Sequence, residues 1–92
     1  MNTYEMTYIM YPEQERFQKG KELLTKELKS CKAKVVKEDD LGERELAYEV
    51  KNENKGHYYY IEAEMDPAKI MDLEKTLKLS SEILKYLFIR KE

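Results

Sequence analysis

The chain has 92 residues, 39 % of them charged and 41 % hydrophobic, with a net charge of −2. A chain of that length supports one domain, spanning 1–92, with a modest core, since small domains bury only roughly 60 to 65 % of their unfolded surface. The near-balanced charge excludes an indiscriminate, field-driven grip on nucleic acid. No apolar run approaches the roughly 20 residues of a membrane span, and the N-terminus lacks the basic and apolar regions of a signal peptide, so a cytoplasmic protein without a membrane partner is expected. Cys31 is the single cysteine, which excludes an internal disulfide and multi-thiol metal sites and leaves a plain buried thiol.

In chain order, residues 4 to 11 alternate, with Tyr4, Met6, Tyr8 and Met10 in one phase and Glu5, Thr7, Ile9 and Tyr11 in the other, which predicts a first strand ended by Pro12. From Glu13 to about Ser30, Phe17, Gly20, Leu24, Leu28 and Cys31 recur at helical spacing. Val35 and Val36 open a long extended segment that passes Gly42 and resumes through Leu46, Tyr48 and Val50. A glycine inside a strand pattern marks a bulge or bend, because only Gly enters positive φ without a Cβ penalty. The polar cluster from Lys51 to Gly56 reads as a hairpin turn, followed by an antiparallel strand from His57 to Met65. Asp66 and Pro67 supply an N-cap and a first-turn proline for a second helix, with Ile70, Leu73 and Leu77 on one face and an end near Leu79. Ile83 to Arg90 forms the last strand.

Strand, helix, strand, strand, helix, strand is the split order of α+β ferredoxin-like domains: a four-stranded antiparallel sheet with two helices on one face. The other face is left open and must be polar or covered by a partner. The charges along the chain are sorted. From Glu38 to Glu49 stand Glu38, Asp39, Asp40, Glu43, Glu45 and Glu49 against Arg44 alone, while from Lys75 onward Lys75, Lys78, Lys85, Arg90 and Lys91 face only Glu82 and Glu92. An acidic edge suits a basic protein and a basic terminus suits phosphates, although charged edges also guard against aggregation.

Other chemistries find less support. Tyr58, Tyr59 and Tyr60 superficially resemble the base-stacking submotif of RNA-recognition domains, but that motif needs a small residue where Tyr58 stands. Alternate tyrosines face opposite sides, so Tyr59 points away from Tyr58 and Tyr60, and at least one of the three is core packing with its hydroxyl at the rim. His57 and Glu62 offer too few ligands for a metal site. An acyl-phosphate hydrolase would need a nest of backbone amides around an arginine after the first strand. Tyr11-Pro12-Glu13-Gln14-Glu15 is instead acidic and lacks glycine, so no enzyme, cofactor or small-molecule substrate is expected. A self-associating regulatory domain that closes its open face on a second copy is the alternative.

Tyr4-Glu5, Pro12, the segment Leu41-Gly42-Glu43-Arg44-Glu45-Leu46-Ala47-Tyr48, Lys55-Gly56-His57-Tyr58 and the closing strand together resemble the ribosomal protein S-six family of the bacterial small subunit. The resemblance runs from Tyr4 to about Lys91, and the kinked segment with Arg44 and Leu46-Ala47-Tyr48 is its most specific part. It implies a ferredoxin-like fold, no catalysis, a ribosome-bound cytoplasmic location, and assembly on central-domain small-subunit ribosomal RNA with the small basic ribosomal protein S-eighteen. On that reading Arg44, Lys78, Lys85 and Arg90 are candidates for phosphate contacts, with Tyr4 and Tyr60 beside the RNA. Asp39, Asp40, Glu43, Glu45 and Tyr48 are candidates for the partner-protein interface. The chain departs from the family pattern at Asn2 and Thr3, where a basic residue is usual, at Glu49 for proline, and at Lys85 for arginine. Lysine keeps that charge but loses the planar fork that binds phosphate bidentately. Contacts made through the family's C-terminal extension are not expected from a chain ending at Glu92.

Overall fold

The computed structural model describes residues 2–91; Glu92, counted above in the charge of the last segment, lies outside them. The order is β1 (Asn2–Met10), α1 (Gln14–Ser30), β2 (Lys34–Val50), β3 (Glu53–Met65), α2 (Pro67–Leu79) and β4 (Ile83–Lys91). The four strands form one antiparallel sheet in the order β2-β3-β1-β4, the ferredoxin-like arrangement that two crossovers demand. The expected elements are therefore all present, and β2 and β4 are the sheet's two edges.

The alternation of β1 decides which face is covered. Tyr4, Met6, Tyr8 and Met10 are buried, and they meet Phe17, Leu24, Leu28, Leu73 and Leu77 from the helices. Thr3, Glu5, Thr7 and Ile9 alternate with them and stay half-exposed on the bare face. On β3, Tyr59, Ile61, Ala63 and Met65 join the core, while Tyr58 and Tyr60 point the other way. The deep position of Tyr8 pushes its phenol well above the ordinary tyrosine range, chiefly through desolvation. Asp66 caps α2 by accepting a 2.9 Å hydrogen bond from the Ala68 N–H, with Pro67 behind it. Glu13, at the start of α1, makes no such side-chain cap. Instead Arg16 in the first turn stacks its guanidinium 3.3 Å from the Tyr11 ring centre and donates to the Ser81 carbonyl at 2.8 Å, tying α1 to the approach of β4.

The hairpin turn corrects the sequence reading. It is two residues, Lys51 and Asn52, both at positive φ (50° and 66°), rather than the six-residue cluster from Lys51 to Gly56. Paired positive φ values are the signature of a type I′ turn, whose twist matches the flanking strands. Residues 53 to 56 thus belong to β3; the polarity of Asn54 and Lys55 reflects exposure near the tip of a ribbon rather than a loop, and Gly56 is buried.

Candidate partner and nucleic-acid interface

The bare face of the sheet is built from the outward phase of each strand. Register pairs Glu5 with Ile89 and Glu62, Thr7 with Leu87 and Tyr60, and Ile9 with Lys85 and Tyr58 across the two central strands and β4. Leu87 and Ile89 are 58 % and 50 % exposed, so this face carries apolar side chains to solvent beside the two tyrosines. Glu62 is the one buried charged residue described, accepting from Lys91 Nζ at 2.7 Å and from the Tyr60 hydroxyl at 3.4 Å. The Lys91 hydrogen bond holds its carboxyl below the usual carboxylate range despite burial. Lys91 and Glu62 are 29 residues apart, so only the strand register brings them together.

β2 flanks this face and changes phase along its length. The register slips between Asp40 and Gly42, where Gly42 adopts φ +83°, the bulge expected of that glycine. Alternation puts Asp39, paired with Tyr60, on the bare side and Asp40, paired with Tyr59, on the side of the helices, and the slip then places Glu43 and Glu45, paired with His57 and Lys55, on the same side as Asp40. Asp40 is occupied there. Its Oδ1 lies 2.5 Å from His57 Nε2 and accepts from the Gly42 N–H at 3.0 Å, and these contacts, the His57 one foremost, hold its carboxyl below the usual range. His57 stacks on Phe17 with ring centres 3.6 Å apart, and Lys21 lies 5.4 Å from the centre of that Phe17 ring. The lone histidine is a packed bridge between β3, β2 and α1. Tyr59 donates to Glu38 at 3.1 Å, and its phenol is pushed up to about 12 by burial and then by that carboxylate.

The basic candidates are scattered. Arg44 stands on the β2 edge with its guanidinium 5.6 Å from the Tyr58 ring centre. Lys85 lies on the opposite edge, donating to the Tyr48 hydroxyl at 2.8 Å, which raises the lysine and lowers the tyrosine pKa. Arg90 pairs with Tyr4 and so falls on the phase facing the helices, and Lys78 is exposed on α2. Arg44 and Lys85 therefore share the bare face, while Lys78 and Arg90 lie on the other side of the sheet. Tyr4 is placed otherwise than expected. Its ring is 7 % exposed within the core and its hydroxyl accepts from Asn2 at 3.4 Å, because it shares the inward phase of Met6 and Tyr8. Among the described residues, no group of three His, Cys, Asp or Glu side chains could hold a metal ion.

A profile of the family described as Ribosomal protein S6 matches residues 3–90, nearly the whole chain. The chain belongs to the ribosomal protein S-six family. The small ribosomal subunit protein bS6 of Treponema denticola is 36 % identical over 92 residues, covering 100 % of this chain and 99 % of that one. Its counterpart in Moorella thermoacetica is 31 % identical over 94 residues, covering 100 % and 96 %. The crystal structure of 30S ribosomal protein S6 from Thermotoga maritima superposes with a TM-score of 0.88 at 28 % identity, covering 98 % of this chain and 87 % of that chain. These S-six relatives are named as ribosomal proteins, in keeping with a site made of an open sheet face and two charged edges. No helix among the described residues is long and apolar enough to cross a membrane.

Proposed function

We propose that this chain is a non-catalytic component of the small ribosomal subunit that binds central-domain ribosomal RNA together with a small basic protein, ribosomal protein S-eighteen. The observation that carries the reading is the sorting of charge between the sheet's edges in a member of this family: acidic side chains along β2, and Lys85, Arg90 and Lys91 with no carboxylate along β4. Asp39, Glu43, Glu45 and Tyr48 are solvent-accessible and suit a basic protein partner, with Asp40 adding its charge although its carboxylate is held by His57. Arg44, Lys78, Lys85 and Arg90 serve as phosphate contacts, and Tyr60 lines the interface. Tyr4 supports β1 from within and is left out of the contact set.

With a net charge of −2 the chain alone grips RNA weakly, and the basic partner supplies the missing attraction. The test is a mobility-shift titration of central-domain RNA against this protein, the partner, and both, at two salt concentrations. Tight binding is expected only for the pair, and each phosphate contact removed lowers the salt slope by about one unit. Reversing Asp39, Glu43 and Glu45 to lysine slows association with the partner roughly tenfold at low salt. Binding by this chain alone as tight as by the pair, or indifference of the pair to loss of all four basic side chains, overturns the reading. A sucrose gradient separates it from the self-associating alternative, since only a ribosomal component co-sediments with small subunits.

A further inference from the structure

The tip of the β2–β3 hairpin does not continue the plane of the sheet. Between the pairs Glu45–Lys55 and Val50–Glu53, β2 advances five residues and β3 only two, so the surplus backbone of β2 is thrown out of the ladder. It is thrown across the bare face. Tyr48 comes from one edge of the sheet and accepts a hydrogen bond from Lys85 on the other edge, with β3 and β1 between them. Lys51, in the turn, donates to the Ile83 carbonyl of β4 at 3.0 Å. Leu46 settles over Gly56, where an added Cβ would lie 3.4 Å from the leucine and would collide with Ile9 Cγ2 on β1, so the bare glycine serves the packing of Ile9 beneath the tip.

The fastening is polar and the seat is loose. Beneath the tip remains a cavity of about 150 Å³ lined by Ile9, Leu46, Tyr48, Val50, Tyr58 and Lys85. Ala47, Tyr48 and Glu49 are exposed, and Leu46 and Val50 only half-buried, so little apolar area holds the tip in place. A segment with few packed contacts and solvent-exposed hydrogen bonds opens at far lower cost than the strands beneath it.

We propose that residues 46–52 form a strap, closed over one end of the bare face in the free protein by the Lys85–Tyr48 and Lys51–Ile83 contacts, and raised when that face is occupied. Raising it frees Lys85 and uncovers Ile9 and Tyr58 beside Arg44, joining them to Tyr60 and Leu87 in one continuous surface. The role in occupancy rests on the function proposed above, while the strap itself is a property of the chain alone. The strap also engages one donor of the exposed Lys85 ammonium until the partner has docked, an order of events in keeping with the weak RNA binding proposed above for the isolated chain.

The test uses hydrogen exchange of the free protein, read by mass spectrometry over residues 45–54. Lys85→Met and Lys51→Met each remove one fastening, and Tyr48→Phe removes the acceptor while keeping the ring. Lys85→Met and Tyr48→Phe are expected to speed exchange in the tip by similar factors, roughly tenfold, and combining them adds little more, because they break the same contact. Amides of β1 and the centre of β3 keep their native protection. Unchanged tip exchange in both single variants overturns the strap, as does acceleration spread evenly over the sheet, which would mean that the substitutions loosen the whole fold. Binding to the partner is then compared: Lys51→Met, which loosens the tip at a residue outside the proposed contact set, should associate faster than the native chain. Faster tip exchange with slower or unchanged association leaves a mobile tip with no part in docking and overturns its role in occupancy. RNA titration of the pair fails or succeeds separately and reports on the proposed function.

Discussion

The two edges of the sheet are built in opposite ways. β4 runs nine residues with a single irregularity beside β1, and plants Ile83 and Leu84 in the buried interior, with Tyr86 and Phe88 packed against it. β2 runs seventeen residues with three register shifts, and none of its residues is buried. Its attachment depends on the ladder to β3 and on side chains such as Asp40 on His57, Glu38 under Tyr59 and Tyr48 on Lys85. The difference teaches that an edge can be fixed by the core or by polar contacts at its rim. Only the second kind is free to carry a dense run of carboxylates and to bend, since a buried carboxylate needs a partner and a packed strand cannot change register.

The contrast breaks most visibly at Ile83, which is 2 % exposed. Ile83→Ala should cost about 2–5 kcal/mol in urea unfolding, whereas Val36→Ala on β2, at 57 % exposure, stays within about 0.5 kcal/mol. Equal losses at the two sites would show that β2 is as deeply rooted as β4. Next in size is Gly42→Val. An added Cβ at Gly42 has no atom within 4 Å, so the whole penalty comes from φ +83°, about 1–3 kcal/mol, and Gly42→Asn should recover part of it. An unfolding midpoint equal to that of the native chain would deny the bulge.

The smallest expected effect concerns acid. The Asp40 carboxyl is held low in the folded chain by His57, so its contribution is present above the ordinary carboxylate pKa and fades as pH falls through the lower folded value. Its side chain is 50 % exposed, and screening limits the contribution to about 0.5 kcal/mol. Asp40→Asn should therefore narrow the gap in thermal midpoint between pH 6 and pH 3 slightly, with little change at the acid end. A gap as wide as that of the native chain would mean that the bridge to His57 adds nothing.

Much of this was legible in the sequence, because the dominant signals are local. The inward phase of β1, the helical stripe through Phe17, Leu24 and Leu28, the Asp66–Pro67 start of α2 and the kink at Gly42 each follow from residue type and spacing alone. The turn is shorter than composition suggests because Lys51 and Asn52 take positive φ without glycine, and Asn54, Lys55 and Gly56 look like loop residues when they are strand residues near the tip. The family motif sets Tyr4 beside RNA, whereas its alternation with Met6 and Tyr8 places it inside. The side taken by Glu43 and Glu45 depends on a register slip that reverses alternation after Asp40, and the meetings of Lys85 with Tyr48 and Lys91 with Glu62 span 37 and 29 residues. Such pairings are set by topology, and no periodicity announces them.

Cys31, at the C-terminal cap of α1, is the only thiol in the chain and is 8 % exposed. Burial, with Glu27 adding to it, raises its pKa, so the nucleophilic thiolate is scarce as well as shielded. An alkylating reagent must then wait for the end of α1 to separate from the sheet. The rate at which a native sample is labelled becomes a clock for that separation, in a molecule whose wild-type sequence already contains the single reporter such a measurement needs.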